Sequence, residues 1–151
     1  MKRTTLFAAL LGAAVLLPAT FTAAPALAAA EANQDAQEKV VYHINDASVA
    51  RVAMRNIENH LNASPNVKIV VVTHGKGIDF LLNDAKDEKG AFAPQVAGLK
   101  ERGVVFDVCR NTLKGRKLND DAVIMEAQVV PSGVAEIGKL QAKEGYVYLK
   151  P

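Results

Sequence analysis

Short runs of β-branched and other apolar residues recur along the chain, separated by longer segments with helical periodicity. In the run at residues 67–73 the apolar positions are continuous after Lys68, which is typical of a strand covered on both faces. The pattern predicts five strands, at residues 39–44, 67–73, 104–108, 127–130 and 146–149.

Helical spacing is clearest after the first strand, where Val49, Ala53, Ile57 and Leu61 lie four positions apart. This spacing predicts a helix over residues 46–61 with one buried face. The other predicted helices lie at residues 78–82, 94–102 and 132–143, with a helical or irregular segment at 109–117 and a solvated loop at 83–90.

Five strands separated by helices indicate a βα repeat. Because the crossover connections between parallel strands are right-handed, such a chain forms an α/β fold, a three-layer α/β/α sandwich around a mostly parallel five-stranded sheet. Ligands of these folds bind outside the carboxyl ends of the strands. The strand ends of this chain are residues 43–46, 73–77, 109–112 and 131–133.

The amino-terminal segment has the composition of a secretory signal. Lys2 and Arg3 precede an apolar run at residues 6–17, and small-x-small cleavage sites follow as ALA at 26–28 or AAA at 28–30. The run stops at Pro18, short of the roughly 20 apolar residues that a membrane-spanning helix needs. We therefore expect a cleaved signal peptide at residues 1–30, a flexible N-terminus at 31–38, a domain at 39–151 and a periplasmic location.

The net charge changes when that segment is removed. The chain has 18 basic and 16 acidic residues, and loss of Lys2 and Arg3 leaves 16 of each. A nucleic-acid-binding protein would keep a clustered basic excess, so we expect no nucleic-acid partner. No second hydrophobic run follows, so we expect no membrane anchor after cleavage.

The single cysteine of the chain, Cys109, follows the third predicted strand. A lone thiol forms no intramolecular disulfide, so Cys109 is either buried and inert or present for its reactivity. At a strand end where a helix begins, free backbone N–H groups and the helix dipole stabilise a thiolate. The groups we expect to stabilise an anion there are Arg110, Asn111, Thr112, Arg116, Ser132 and Gly133.

Three histidines complete the candidate chemistry. His74, at the end of the second strand, is a weak candidate for a catalytic base beside Cys109, and a structural hydrogen-bonding role is the alternative. A metal site of His43, His74 and Cys109 lacks the paired ligand spacing of zinc or copper motifs, so we predict no metal. His60 is expected to be a partly exposed helix residue.

Three motifs together resemble the DsrE/DsrF-like family. They are VVVTHGKGIDFLL at 70–82, VVFDVCRNTL at 104–113 followed by Arg116, and VVPSGVAEI at 129–137. The closing KEGYVYLKP at 143–151 is similar as well. The resemblance covers about residues 39–151.

This resemblance implies a five-stranded α/β/α sandwich, assembly into homo- or hetero-oligomers and, for relay members, a cysteine that accepts sulfane sulfur as a persulfide. Cys109 stands where such a cysteine would lie. Some relatives have a second cysteine three residues on, where this chain has Thr112. Relay members with known roles work in the cytoplasm, whereas this chain is expected to be exported.

Two functions from different classes follow from these features. The first is a periplasmic sulfur carrier that holds a persulfide on Cys109, exchanges sulfur with donor or acceptor proteins or small sulfane-sulfur compounds, and needs no cofactor. The alternative is a non-catalytic oligomeric binding module in which Cys109 is structural. A thiol reductase ranks third, because the resolving cysteine that it usually needs is absent.

Overall fold

A five-stranded parallel sheet is the centre of the computed structural model, which describes residues 37–151. The strands in chain order are β1 Lys39–Asp46, β2 Lys68–Lys76, β3 Lys86–Asp87, β4 Gly90–Ala91, β5 Val105–Cys109, β6 Gln128–Val130 and β7 Val147–Leu149. The sheet has the order β6-β5-β2-β1-β7, and β3 and β4 form a separate antiparallel hairpin. The predicted signal peptide and most of the predicted flexible N-terminus lie outside the described residues.

Four α-helices connect the strands of the sheet. They are α1 Ala50–Ala63, α2 Ala93–Glu101, α3 Arg110–Gly115 and α4 Gly133–Glu144. A 3-10 turn at Ala47–Val49 precedes α1, and the Asp46 side chain caps it by accepting a hydrogen bond from the Ser48 N–H. Gly145 ends α4 in the left-handed conformation, with φ of 75°.

The two faces of the sheet are covered unequally. The chain steps from β1 to β2, β5 and β6 in one direction and then returns to β7 beside β1. Right-handed crossovers therefore place α1 and α2 on one face and α4 on the other. The first face contains a large apolar cluster, and the second a small one made of Val41, Val70, Val72, Ile137 and Leu140. The α/β sandwich predicted from the hydrophobic pattern is confirmed.

Two local predictions are corrected. The segment at 78–82 forms only a 3-10 turn, Asp79–Leu81. The loop at 83–90 contains β3 and part of β4, because the Arg51 guanidinium binds both the Asp87 carboxylate and the Gly90 carbonyl. Ser132, where the last predicted helix begins, occupies the N-cap position of α4, and its side chain makes no capping hydrogen bond.

No helix within residues 37–151 has both the length and the apolar character to cross a membrane. The core of the described domain instead consists of short amphipathic helices packed on buried strands. In β2, five consecutive residues at 69–73 are buried, as the continuous apolar run predicts.

Candidate functional site

Cys109 is the last residue of β5 and the residue directly before α3. Its extended backbone, with φ of −69° and ψ of 113°, turns the chain from the sheet into the helix. Only 5% of the residue is exposed. The thiol therefore lies at the carboxyl edge of the sheet, as its position after the third main strand predicts, but beneath neighbouring side chains rather than on an open surface.

Hydrogen-bond donors surround the Cys109 sulfur. Burial disfavours the thiolate, but hydrogen bonds from the Gly133 N–H, the Thr112 hydroxyl and the N–H groups of Thr112 and Asn111 outweigh it and lower the pKa of the thiol. Two of these N–H groups belong to the first turn of α3, where helical backbone has no partner of its own. These donors thus favour the thiolate form of Cys109.

The Thr112 hydroxyl is oriented by a second contact. Its Oγ1 accepts a hydrogen bond of 3.1 Å from the N–H of Gly75, the last residue but one of β2. Since a hydroxyl has one proton, and its oxygen is engaged by Gly75, the proton is available to the sulfur of Cys109. Gly75 itself has φ of 59°, which favours glycine.

Gly133 lets the start of α4 approach Cys109 closely. A Cβ at this position would lie 3.1 Å from the Thr73 carbonyl oxygen, 3.2 Å from the Cys109 Cβ and 3.4 Å from the His74 Cβ. Those distances are tighter than ordinary van der Waals contact, so the helix reaches the thiol because residue 133 lacks a side chain. Gly133 is thus close to the Cβ atoms of both His74 and Cys109.

His74 belongs to a hydrogen-bonded chain of three side chains. Its Nε2 lies 2.7 Å from Nε2 of His43, and Nδ1 of His43 lies 2.7 Å from the Tyr148 hydroxyl. Burial lowers the pKa of His43, and His74 and Lys150 lower it further. The structure therefore gives His74, on the strand next to that of Cys109, a partner that would hold the orientation of a base.

The two arginines predicted to stabilise an anion are each engaged by a carboxylate. Arg110 binds Asp120 through Nε and Nη2, and both side chains are exposed. Arg116 binds Asp79 and donates to the Gly75 carbonyl at 2.8 Å, so it supports the loop that holds Thr112. Neither guanidinium is among the groups that lower the pKa of Cys109.

Asp107, two residues before Cys109 on β5, is a buried carboxylate that the sequence pattern did not single out. It is 2% exposed, and its Oδ1 accepts a hydrogen bond of 2.7 Å from Nε2 of Gln128 on β6. Burial raises its pKa to about 6, although the Gln128 bond acts in the opposite direction. Tyr148 is the other site residue that the sequence analysis missed.

The signal that identifies both missed residues is the alternation of strand side chains. Residues two apart on a strand share a face, and parallel register pairs Val41 with Tyr148 and Val72 with Asp107. Recognising them from sequence requires the strand order first. Within residues 37–151, no three His, Cys, Asp or Glu side chains are grouped in a way that could hold a metal ion.

Comparison with known proteins gives a family and two structures of similar fold. The profile of the DsrE/DsrF-like family matches residues 19–151. A protein of unknown function from Methanobacterium thermoautotrophicum, MTH1491, is 30% identical with a TM-score of 0.69, over 76% of this chain and 100% of that one. The ychN protein from E. coli is 13% identical with a TM-score of 0.61, over 77% and 100%, and shows the fold alone. No curated protein matches the chain.

Proposed function

The chain belongs to the DsrE/DsrF-like family, and from that premise we propose that it is a sulfur carrier that holds sulfane sulfur on Cys109 as a persulfide. Membership of the family supports a sulfur-relay type of role. The finer assignment, to one cysteine and to a persulfide, is our proposal. It agrees with Cys109 being the sole thiol of the chain.

The set of donors around the Cys109 sulfur is the observation that carries the proposal. Three backbone N–H groups and one hydroxyl converge on a thiol that is otherwise buried. A structural cysteine in an apolar core needs no such donors, since a neutral thiol is a weak acceptor. A sulfur that spends part of its cycle as an anion does need them.

The sulfur exchange can be written with thiosulfate as the donor. The Cys109 thiolate attacks the outer sulfur, the sulfur–sulfur bond of thiosulfate breaks with its electron pair leaving on sulfite, and a Cys–S–S⁻ persulfide forms. An acceptor thiolate then attacks the outer sulfur of the persulfide, and Cys109 leaves as a thiolate. No net oxidation occurs, so the cycle requires no cofactor.

The place of action belongs to the proposal as well. We place the mature protein in the periplasm because its first thirty residues have the composition of a secretory signal. It would act there as a homo-oligomer that exchanges sulfur with proteins or small sulfane-sulfur compounds. Intact mass of the protein purified from a periplasmic fraction tests this: we expect cleavage after residue 28 or 30. An uncleaved chain that stays in the cytoplasm contradicts it.

Persulfide loading is tested by intact mass. The mature protein is incubated with thiosulfate or polysulfide, and we expect the wild type to gain the mass of one sulfur atom and to lose it on addition of an acceptor thiol. Cys109→Ser is the matched control and should gain nothing. Failure of the wild type to load, or equal loading of the variant, contradicts the proposal.

The burial of Cys109 favours a second candidate, an oligomeric binding module with a structural cysteine. With 5% of the residue exposed, a reagent reaches the sulfur only if the surrounding loops open. Alkylation of the native protein separates the candidates. A carrier reacts with iodoacetamide while folded, whereas a structural thiol reacts only after unfolding.

A further inference from the structure

The hydrogen-bonded chain of Tyr148, His43 and His74, which we call the imidazole chain, crosses three neighbouring strands of the sheet. Tyr148 lies on β7, His43 on β1 and His74 on β2, and both contacts are 2.7 Å long. The two imidazole rings are tilted by 32° and their centroids are 4.6 Å apart, so the rings approach edge to edge through their Nε2 atoms. The contact is therefore a direct hydrogen bond between two rings.

The imidazole chain rises across the sheet toward Cys109. Tyr148 pairs with Val41, which lies two residues before His43 on β1. His43 pairs with Val72, which lies two residues before His74 on β2. Thr73 pairs with Val108, and the same register places the next residues, His74 and Cys109, at one level on neighbouring strands. The chain thus runs from an exposed edge strand to the strand beside the thiol.

Two imidazoles joined through Nε2 atoms share a single hydrogen in that contact. One Nε2 carries the proton and the other accepts it, because two N–H groups at 2.7 Å would face one another. The pair can therefore hold at most one proton beyond its neutral state without breaking the bond. Tyr148, which is 38% exposed, completes the path from His43 to water.

Other charged groups surround the imidazole chain. Lys150 follows β7 and faces His43, where its positive charge opposes protonation. On β5, Asp107 lies two residues before Cys109. Glu136 of α4 raises the pKa of that carboxyl group, and Lys139 of the same helix lowers it. The start of α4 adds the Gly133 N–H rather than a charge. On β2, the strand next to β5, the proton-accepting side chain at the level of Cys109 is His74.

We propose that His43 and Tyr148 are positioning residues of a proton relay that passes through His74 to Cys109. The proposal rests on the proposed carrier function and adds the route of the proton to it. When the thiol ionises, its proton passes to His74, the His43 contact exchanges its shared hydrogen, and Tyr148 delivers a proton to water. When Cys109 leaves as a thiolate during sulfur delivery, the same proton returns.

With this route for the proton, the atoms and charges of the loading step balance. A Cys109 thiol and thiosulfate give a Cys–S–S⁻ persulfide and hydrogen sulfite, with the sulfur–sulfur electron pair on sulfite and the thiol proton carried there through the relay and water. Nothing is oxidised or reduced overall, because sulfane sulfur moves between two sulfur nucleophiles. No further reactant is required.

The test compares His43→Gln and Tyr148→Phe with the wild type. His60→Gln is the matched control, because His60 is also bonded to a tyrosine, Tyr42, at 3.0 Å, but on the other side of the sheet. For each protein we measure the rate and final extent of thiosulfate loading, the rate of Cys109 alkylation between about pH 5 and 9, and the ¹⁵N shifts of the imidazoles.

We expect His43→Gln to slow loading about tenfold or more, within the range of acid–base catalysis, and to leave the final loaded fraction unchanged. Its alkylation profile should differ from that of the wild type. Tyr148→Phe should change the profile less, and His60→Gln should reproduce the wild type. In the wild type the ¹⁵N shifts should show one hydrogen shared between the Nε2 atoms of His43 and His74.

Superimposable pH profiles for folded wild type and His43→Gln would overturn the relay, and so would ¹⁵N shifts that show no hydrogen shared between the two imidazoles. A wild type that does not load contradicts the carrier function but leaves the alkylation profile and the ¹⁵N shifts to decide the relay. Because the ¹⁵N measurement needs no reaction at the thiol, the two failures are distinguishable. Folding of each variant is checked by thermal unfolding.

Discussion

The Cys109 sulfur receives hydrogen bonds from Gly133, Thr112 and Asn111, and each contact favours the thiolate. At the scale of single residues, this means that neutral donors rather than nearby cations set the acidity of the thiol. Arg110 and Arg116 are neutralised by Asp120 and Asp79. The chemistry of the site therefore depends on small changes at positions that carry no charge.

Thr112→Val tests that dependence. It removes the hydroxyl donor while keeping the β-branched shape, so the pKa of Cys109 should rise and alkylation at pH 7 should slow about tenfold, as expected for one hydrogen bond to a charged group. Thr112→Ser keeps the hydroxyl and is the control. Equal rates for Thr112→Val and the wild type would show that the hydroxyl has no role.

Asp107 makes stability depend on pH. Because burial raises its pKa to about 6 from 3.8, the folded protein holds the proton more tightly than the unfolded chain. Its contribution is complete below about pH 4 and is lost as the pH rises through 6. Asp107→Asn should therefore raise the free energy of unfolding at pH 7.5 by about 2 kcal/mol, with no gain at pH 4.

Urea unfolding at the two pH values measures this difference. The amide of Asn at position 107 still offers an oxygen to Gln128, so the 2.7 Å bond has a replacement. A variant that is equally destabilised at both pH values would mean that the ionised carboxylate is not the unfavourable species.

At the scale of elements, close backbone approaches bring the strand ends and helix starts together. Gly133 admits the start of α4 to the thiol, and Gly77 lies against the end of β1, where a Cβ would be 2.0 Å from the Ile44 carbonyl oxygen. Neither approach involves a charged group. At Gly77 backbone atoms leave no space for a Cβ, and at Gly133 one backbone oxygen and two Cβ atoms crowd that position.

Gly77→Ala should destabilise the protein by about 3 kcal/mol or more, because the backbone of β1 must move to admit a methyl group. Gly138→Ala is the control. It lies in α4 with open space at its Cβ position, so it should stabilise the protein by about 0.5–1 kcal/mol. Thermal unfolding compares the two. A small effect of Gly77→Ala would contradict the close approach.

At the scale of the whole molecule, the sheet separates a large apolar cluster from a small one, and the thiol depends on the small one. Helix α4 contributes Ile137 and Leu140 to the small cluster and begins at Gly133, beside Cys109. Helix α2 contributes Val96 and Leu99 to the large cluster on the opposite face. A loss of packing on one face should affect Cys109 more than the same loss on the other.

Leu140→Ala and Leu99→Ala make the same chemical change on the two faces. Each should destabilise the protein by about 2–5 kcal/mol. Only Leu140→Ala loosens α4 and its Gly133 N–H, so only this variant should shift the alkylation profile of Cys109 to higher pH. Identical profiles would show that the position of α4 does not set the acidity of the thiol.

Part of the site could be predicted from residues next to one another in the chain. Cys109 follows an apolar run and precedes Asn111 and Thr112, so its place at a strand end and two of its donors are local properties. The sequence predicts Gly133 as an anion-stabilising residue because it lies at the start of its own helix. Its contact with Cys109 depends on the packing of α4, and the roles of Arg110 and Arg116 stay predictions.

Hydrophobic periodicity and turn residues predict the order of the main strands and helices, the parallel α/β class and the place of Cys109, because they act over a few neighbouring positions. Which distant side chains meet depends on the tertiary fold. His43 meets His74 because β1 pairs with β2, and it meets Tyr148 because β7 pairs with the other edge of β1. Arg110 binds Asp120 through the fold of the following loop. Those contacts depend on strand order and register, which a periodic pattern does not contain.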